Sequence, residues 1–80
     1  MESEYKRRVL KAYRKAGWVC LNLIQTNLNG IADTLLMKRG EEDFFIEFKA
    51  RGEKPDPLQV YRHEELLTKT GKRTIIMEEP

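Results

Sequence analysis

The segment FFIEFKA, Phe44 to Ala50, carries a glutamate and a lysine among residues that favour a strand. Because side chains alternate between the two faces of a strand, Glu47 and Lys49 would lie side by side on one face. A solvent-exposed face of an antiparallel sheet would explain this pair without any function. As a surface ion pair it would contribute only ~0 to 1 kcal/mol to stability. The pair alone therefore leaves a structural role and a chemical role open.

A second carboxylate, that of Asp33, lies at the start of the strand-like segment ADTLLMK, and the turn RGEED with Gly40 joins that segment to FFIEFKA. Antiparallel pairing of the two segments would bring Asp33 next to Glu47. Two close carboxylates repel each other, and a cation between them relieves the repulsion. Magnesium takes carboxylate, water and phosphate oxygens as ligands, and a nearby lysine can orient an attacking water or stabilise charge on a phosphate. Asp33, Glu47 and Lys49 therefore predict a divalent-metal site for phosphodiester chemistry.

The elements that would position these residues begin with an amphipathic helix. Apolar residues at helical spacing predict it from about Ser3 to Ala16, and Gly17 follows as a stop signal. The run WVCLNLI, Trp18 to Ile24, is short and rich in strand-forming residues, so it predicts the first strand. The turn QTNLNG, with Asn29 and Gly30, then leads to the antiparallel ribbon.

After the ribbon, the loop RGEKPDP predicts a helix start, with Asp56 as its cap and Pro57 at its first position. This helix would end near Gly71, and RTIIME, Arg73 to Glu78, predicts a last strand. A connection that passes through a helix favours parallel placement beside the third strand. The sequence thus predicts one α/β domain over residues 1–80, with a small mixed sheet flanked by helices in the order αβββαβ.

The composition excludes several classes of protein. The chain has 80 residues, of which 40% are hydrophobic and 35% charged, as is typical of a soluble domain. No apolar run approaches the ~20 residues of a membrane span, and the N-terminal sequence lacks a signal-peptide core, so we expect a cytoplasmic protein with no membrane partner. The net charge of +2 does not establish a nucleic-acid partner, although YKRRVLKAYRK carries six basic residues.

The single cysteine and single histidine cannot supply a closed zinc site. Cys20 lies in an apolar run, which predicts a small buried residue without a catalytic role. His63 would lie in the middle of the second helix among charged neighbours. That position predicts a surface residue rather than a general base.

The segment from Asn29 to Met77 resembles the VRR-NUC branch of the PD-(D/E)XK nuclease superfamily. The family pattern is a glycine shortly before an aspartate, a strand carrying Glu-x-Lys, and a helix with a glutamine near its start. These positions are Gly30, Asp33, Glu47 with Lys49, and Gln59. The family often has a proline before the aspartate, where this chain has Ala32. Because that proline only rigidifies the backbone, every reacting group of the pattern is still present.

The resemblance implies a restriction-endonuclease-like core and a role for each matched residue. Asp33 and Glu47 would bind Mg²⁺ or Mn²⁺ together with the backbone carbonyl of Phe48. Lys49 would serve the attacking water, and Gln59 would support the site.

The resemblance also implies an acidic residue on the first helix that contacts a metal-bound water. Glu2 and Glu4 compete for this role. Glu2 falls close to the apolar stripe of the helix, whereas Glu4 points away by roughly 120° at helical periodicity. Glu2 is therefore the favoured residue.

The partners implied by the resemblance are DNA, with branched or Holliday-junction-type DNA as the preferred form, and a second copy of the chain in a homodimer. The source would be a bacterial or phage genome, with the protein in the cytoplasm of the bacterial or infected cell. One alternative is a non-catalytic DNA-binding module on the same fold. Another is a structural interaction domain in which Glu47 and Lys49 form only a surface ion pair.

Overall fold

The computed structural model describes residues 3–80, in which two helices and four strands follow the predicted order. The helices are α1 (Glu4–Lys15) and α2 (Pro57–Thr70). The strands are β1 (Val19–Asn22), β2 (Thr34–Met37), β3 (Phe44–Lys49) and β4 (Thr74–Glu78). The predicted αβββαβ arrangement is therefore confirmed, with β1 shorter than the sequence indicates. Neither of these helices is long and apolar enough to cross a membrane.

The four strands form one mixed sheet in the order β1-β2-β3-β4. The first three strands pair antiparallel, and β4 pairs parallel with β3, as the helical connection predicts. In the β2–β3 ribbon, Thr34 lies opposite Ile46. Continuing this register by one residue places Asp33 opposite Glu47. The ribbon thus brings the two carboxylates together at one end of the sheet.

Helix α1 packs on one face of the sheet, where the hydrophobic core lies. Leu36 and Ile46 are completely buried there, with Phe44 beside them. Trp18 and Tyr13 pack against this cluster, and the Trp18 and Phe44 rings meet edge-on with centroids 5.2 Å apart. Because strand residues alternate, the opposite face is the one that carries Glu47 and Lys49.

Helix α2 covers part of that opposite face. Asp56 caps its start as predicted, Pro57 is its first residue, and Gly71 ends it in the left-handed conformation. No residue of α2 is fully buried. The start of the helix instead lies close to the backbone at Gly30, whose φ is +85°. A Cβ added at Gly30 would lie only 2.8 Å from the Leu58 carbonyl oxygen. This contact holds the start of α2 over the end of the sheet where the two carboxylates meet.

Candidate active site

Asp33 lies directly before β2, and its backbone and side chain are both fixed by hydrogen bonds. Its carbonyl accepts from the N–H of Leu23 at 2.8 Å, which ties it to the chain just after β1. Its Oδ2 accepts from the backbone N–H of Phe48 at 3.1 Å, and its Oδ1 accepts from the Thr34 hydroxyl at 2.9 Å. A carboxylate has about four lone-pair sites, so these two bonds leave Asp33 able to accept further ligands.

Glu47 is a buried carboxylate, with only 6% of its surface exposed. Lys49 Nζ lies 3.6 Å from its Oε2. Burial raises the pKa of Glu47, and the negative charge of Asp33 raises it further, while the Lys49 ammonium opposes both effects. Its Oε1 is buried and has no hydrogen-bond partner in the described part of the chain. The alternative in which Glu47 belongs to a solvated face is therefore wrong.

The backbone of Phe48 faces Asp33. The carbonyl of its neighbour Lys49 accepts from the N–H of Glu79 at 2.8 Å, which places the Lys49 carbonyl on the β4 side. Alternate strand residues direct their backbone groups to opposite sides, so Phe48 directs its own N–H and carbonyl toward β2. The Phe48 N–H meets Asp33 there. The Phe48 carbonyl therefore points to the β2 side of β3, which is also the side on which Asp33 lies.

Gln59 connects α2 to Glu47. Its Oε1 accepts from the N–H of Asp56 at 3.0 Å, and its own N–H donates to Asp56 Oδ1 at 2.9 Å, which closes a capping box. Its Nε2 donates to Oε2 of Glu47 across 3.5 Å, a long hydrogen bond. The structure thus brings together Asp33, Glu47, Lys49 and Gln59, the four side chains that the sequence singled out within the described residues.

Lys6 also lies at this site, although no sequence motif marks it. Its Nζ lies 3.7 Å from Oδ1 of Asp33, and its side chain is only 16% exposed. The ammonium also lies 5.6 Å from the centre of the Phe48 ring. Lys6, Leu10 and Tyr13 share one helical stripe, and this spacing could have indicated that Lys6 faces the sheet. The five other basic residues of α1 lie on its exposed side, so charge alone does not distinguish Lys6 from them.

The prediction that His63 lies on the surface was wrong. Its ring is half-buried, and its Nε2 is buried without a hydrogen-bond partner among residues 3–80. Burial lowers the pKa of His63, and the positive charge of Lys49 lowers it further, with Asp56 opposing. One nitrogen of the imidazole is therefore shielded from solvent.

The two candidates on the first helix differ in what the structure describes. Glu2 lies outside the described residues, so its contact with a metal-bound water stays a prediction. Glu4 is exposed and forms an ion pair with Arg7. The sequence-based expectation that Glu4 points into solvent therefore agrees with its position.

The donor set of this site fits a hard divalent ion. Within residues 3–80 no group of three or more His, Cys, Asp or Glu side chains comes together, so a metal would rely on two carboxylates and a backbone carbonyl. Such oxygen donors suit Mg²⁺ and Mn²⁺, whose remaining ligands are commonly water and phosphate. The unpartnered Oε1 of Glu47 offers a buried lone pair for such an ion.

The mixed sheet and the two flanking helices thus place Asp33, Glu47 and Lys49 at one end of a small α/β domain. A search of solved structures finds a chain described as "VRR_NUC domain", with a TM-score of 0.76 and 20% sequence identity over 91% of this chain and 80% of that one. The chain therefore has the VRR-NUC fold that its sequence resembles. The "Putative nuclease p44" of Acyrthosiphon pisum secondary endosymbiont phage 1 is 27% identical over 77 residues, which cover 96% of this chain and 82% of that protein. No protein-family profile matches the chain.

Proposed function

We propose that this chain is a Mg²⁺- or Mn²⁺-dependent endonuclease that hydrolyses phosphodiester bonds in DNA. The name of the phage relative and the VRR-NUC fold support nuclease chemistry. The observation that carries the proposal is the environment of Glu47. A buried carboxylate beside Asp33 and Lys49, with one oxygen left without a partner, is costly in a domain that does no chemistry.

Asp33, Glu47 and the carbonyl of Phe48 would hold the divalent ion, with Glu2 contacting it through water. When bound, the ion would supply a polarised water and positive charge against the phosphate. The hydrogen bonds from Phe48 and Thr34 keep the Asp33 carboxylate in place before the ion arrives. Such preorganisation spares the site the cost of ordering its ligands during the reaction.

Lys49 would orient the attacking water and stabilise the negative charge that builds up on the phosphate. Its ammonium is held 3.6 Å from Glu47, on the same face of β3. Gln59 would keep the Glu47 carboxylate in position through Oε2, leaving Oε1 free for the ion. The chemical step thus needs no histidine, and none is assigned to it.

The DNA would be bound through its backbone rather than through its bases. The exposed side of α1 carries five basic residues, Arg7, Arg8, Lys11, Arg14 and Lys15. Phosphate contacts of this kind position a duplex without reading its sequence. A small domain of this type would select DNA by shape, and we propose branched DNA, including four-way junctions, as its substrate in the cytoplasm of a bacterial or phage-infected cell.

A homodimer would suit such a substrate, because a two-fold pair presents two sites to two strands. The exposed apolar side chains on α2 support this part of the proposal. Leu58, Val60, Tyr61 and Leu67 are each more than two-fifths exposed. A second copy packed against α2 would remove this surface from water. We expect Leu67→Glu to shift the protein from dimer to monomer in light-scattering measurements.

Cleavage assays on single-stranded, duplex, flap and four-way DNA with Mg²⁺ or Mn²⁺ test the activity. We expect Lys49→Ala to reduce cleavage by about 100-fold or more, the usual scale for loss of one transition-state donor. Lys54→Ala is the matched control, because Lys54 is an exposed lysine that pairs with Glu78. Equal cleavage by the Lys49→Ala variant and the unmodified protein would contradict the proposal. DNA binding without cleavage, unaffected by Asp33→Ala, would favour the non-catalytic alternative.

A further inference from the structure

Lys6 lies at a point of the site where a positive charge competes with a metal. Its Nζ is 3.7 Å from Oδ1 of Asp33, and its side chain is mostly buried. Lys49 forms the equivalent ion pair with Glu47, with its Nζ 3.6 Å from Oε2. Each of the two carboxylates therefore has its own ammonium, and the four charges balance.

This balance changes when a divalent ion binds between the carboxylates. The ion would repel both ammonium groups, and Lys49 has a role in the proposed reaction that keeps it near the site. Lys6 lies on another element, α1. Its long side chain can change rotamer and move the ammonium group without moving the helix. Lys6 is thus the cation that can leave Asp33.

The structure offers Lys6 a second position. A pocket of about 260 Å³ lies beside it, between the start of α1 and the end of β3. Lys6, Phe48 and Lys49 line this pocket, and the acidic residues Glu53 and Glu79 line it as well, so a displaced ammonium would also find carboxylates there. An ammonium that turned from Asp33 into this space would lie next to the metal site, where a phosphate of bound DNA needs a positive partner.

We propose that Lys6 pairs with Asp33 before a divalent ion binds and is then released to contact a DNA phosphate. This inference rests on the proposed metal-dependent nuclease function. It makes metal binding and DNA binding depend on each other through one side chain. Removing the Lys6 charge should therefore strengthen metal binding and weaken metal-dependent DNA binding.

Calorimetric titration of the DNA-free protein with Mn²⁺ tests the first half. We expect Lys6→Met to bind Mn²⁺ roughly 10-fold more tightly than the unmodified protein, because the ion no longer displaces an opposite charge. Lys6→Gln should show the same increase in Mn²⁺ affinity. Agreement between the two Lys6 variants would show that the increase does not come from a folding defect in one of them. Lys11→Met is the matched control, since Lys11 is exposed on the same helix. Its Mn²⁺ affinity should not change.

The salt dependence of DNA binding tests the second half, in a Lys49→Ala background that prevents cleavage. With Mn²⁺ present, Lys6→Met should make the negative slope of log K against log salt concentration less steep by about 0.9, the value for one lost phosphate contact. With EDTA instead of Mn²⁺ the two slopes should agree, because Lys6 is then paired with Asp33.

The outcomes separate this inference from the function on which it rests. If the unmodified protein binds no Mn²⁺, the proposed metal site is overturned and the role of Lys6 with it. If the unmodified protein binds Mn²⁺ and both Lys6 variants bind it with the same affinity, only the competition at Asp33 is overturned. If the salt slopes agree with Mn²⁺ as well as with EDTA, the phosphate contact is overturned.

Discussion

The side chain of Gln59 caps α2 and touches Glu47 at the same time. Its Oε1 accepts from the Asp56 N–H at 3.0 Å, and its Nε2 donates to Glu47 Oε2 at 3.5 Å. One amide therefore fixes both the start of a helix and the orientation of a buried carboxylate. This double role makes the two contributions separable by mutation.

We expect Gln59→Ala to lower both stability and cleavage, and Asp56→Ala to lower stability alone. Asp56 belongs to the same capping box but provides no contact to Glu47, so it is the matched control. Loss of the Asp56 cap should cost about 1 kcal/mol. Thermal unfolding and cleavage rates measured on both variants check this. Equal cleavage by both variants would show that the Gln59 contact with Glu47 does not matter to the reaction.

Glu47→Gln should stabilise the protein at neutral pH. Because burial and Asp33 raise the pKa of Glu47 in the folded state, the folded protein holds that proton more tightly than the unfolded chain. The contribution of Glu47 to the free energy of unfolding is therefore fully present at low pH, where the carboxyl is protonated. It is lost as the pH rises through the folded-state pKa of Glu47. The melting temperature of Glu47→Gln should exceed that of the unmodified protein at pH 7, and the difference should shrink toward pH 4.

Glu64→Gln is the control for this measurement, because Glu64 is an exposed glutamate on α2. Its melting temperature should follow that of the unmodified protein across the same pH range. A Glu47→Gln variant that is less stable than the unmodified protein at pH 7 would mean that the pairing with Lys49 outweighs burial.

His63→Gln should remove part of the acid sensitivity of the fold. The pKa of His63 is lowered in the folded protein by burial and by Lys49, whereas the unfolded chain takes up the proton near pH 6.5. The contribution of neutral His63 to the free energy of unfolding is thus fully present above about pH 6.5. It is lost as the pH falls toward the folded-state pKa of His63. Between pH 7.5 and 5, the melting temperature of the unmodified protein should fall more steeply than that of His63→Gln. Parallel curves would contradict a buried neutral imidazole.

Gly30→Ala should destabilise the protein much more than Gly52→Ala. Both glycines have a positive φ, +85° and +83°, so each substitution carries a similar backbone strain of roughly 1–2 kcal/mol. Only at Gly30 would the new Cβ meet a backbone atom, the Leu58 carbonyl oxygen at 2.8 Å, while the space at Gly52 is open. Chemical denaturation of the two variants measures the difference. Equal losses would show that α2 can move away from Gly30 without cost.

The secondary structure and the strand pairing were predictable from the sequence because they depend on local signals. Helical spacing gives α1, the turn at Gly40 gives the β2–β3 ribbon, and Asp56 with Pro57 gives the start of α2. Strand alternation alone places Glu47 and Lys49 on one face, and the ribbon brings Asp33 to them. The end of β1 was less predictable, because pairing with β2 rather than strand propensity decides where it stops.

The sequence by itself determined the order of the elements, the mixed sheet and the meeting of Asp33 with Glu47. Only the tertiary structure decided that Glu47 is buried, that Lys6 reaches Asp33 and that His63 is half-buried. Periodicity shows which face of an element a residue occupies, but burial and charge pairing depend on how helices from distant parts of the chain lie against that face. That placement follows from packing, which neighbouring residues in the sequence do not encode.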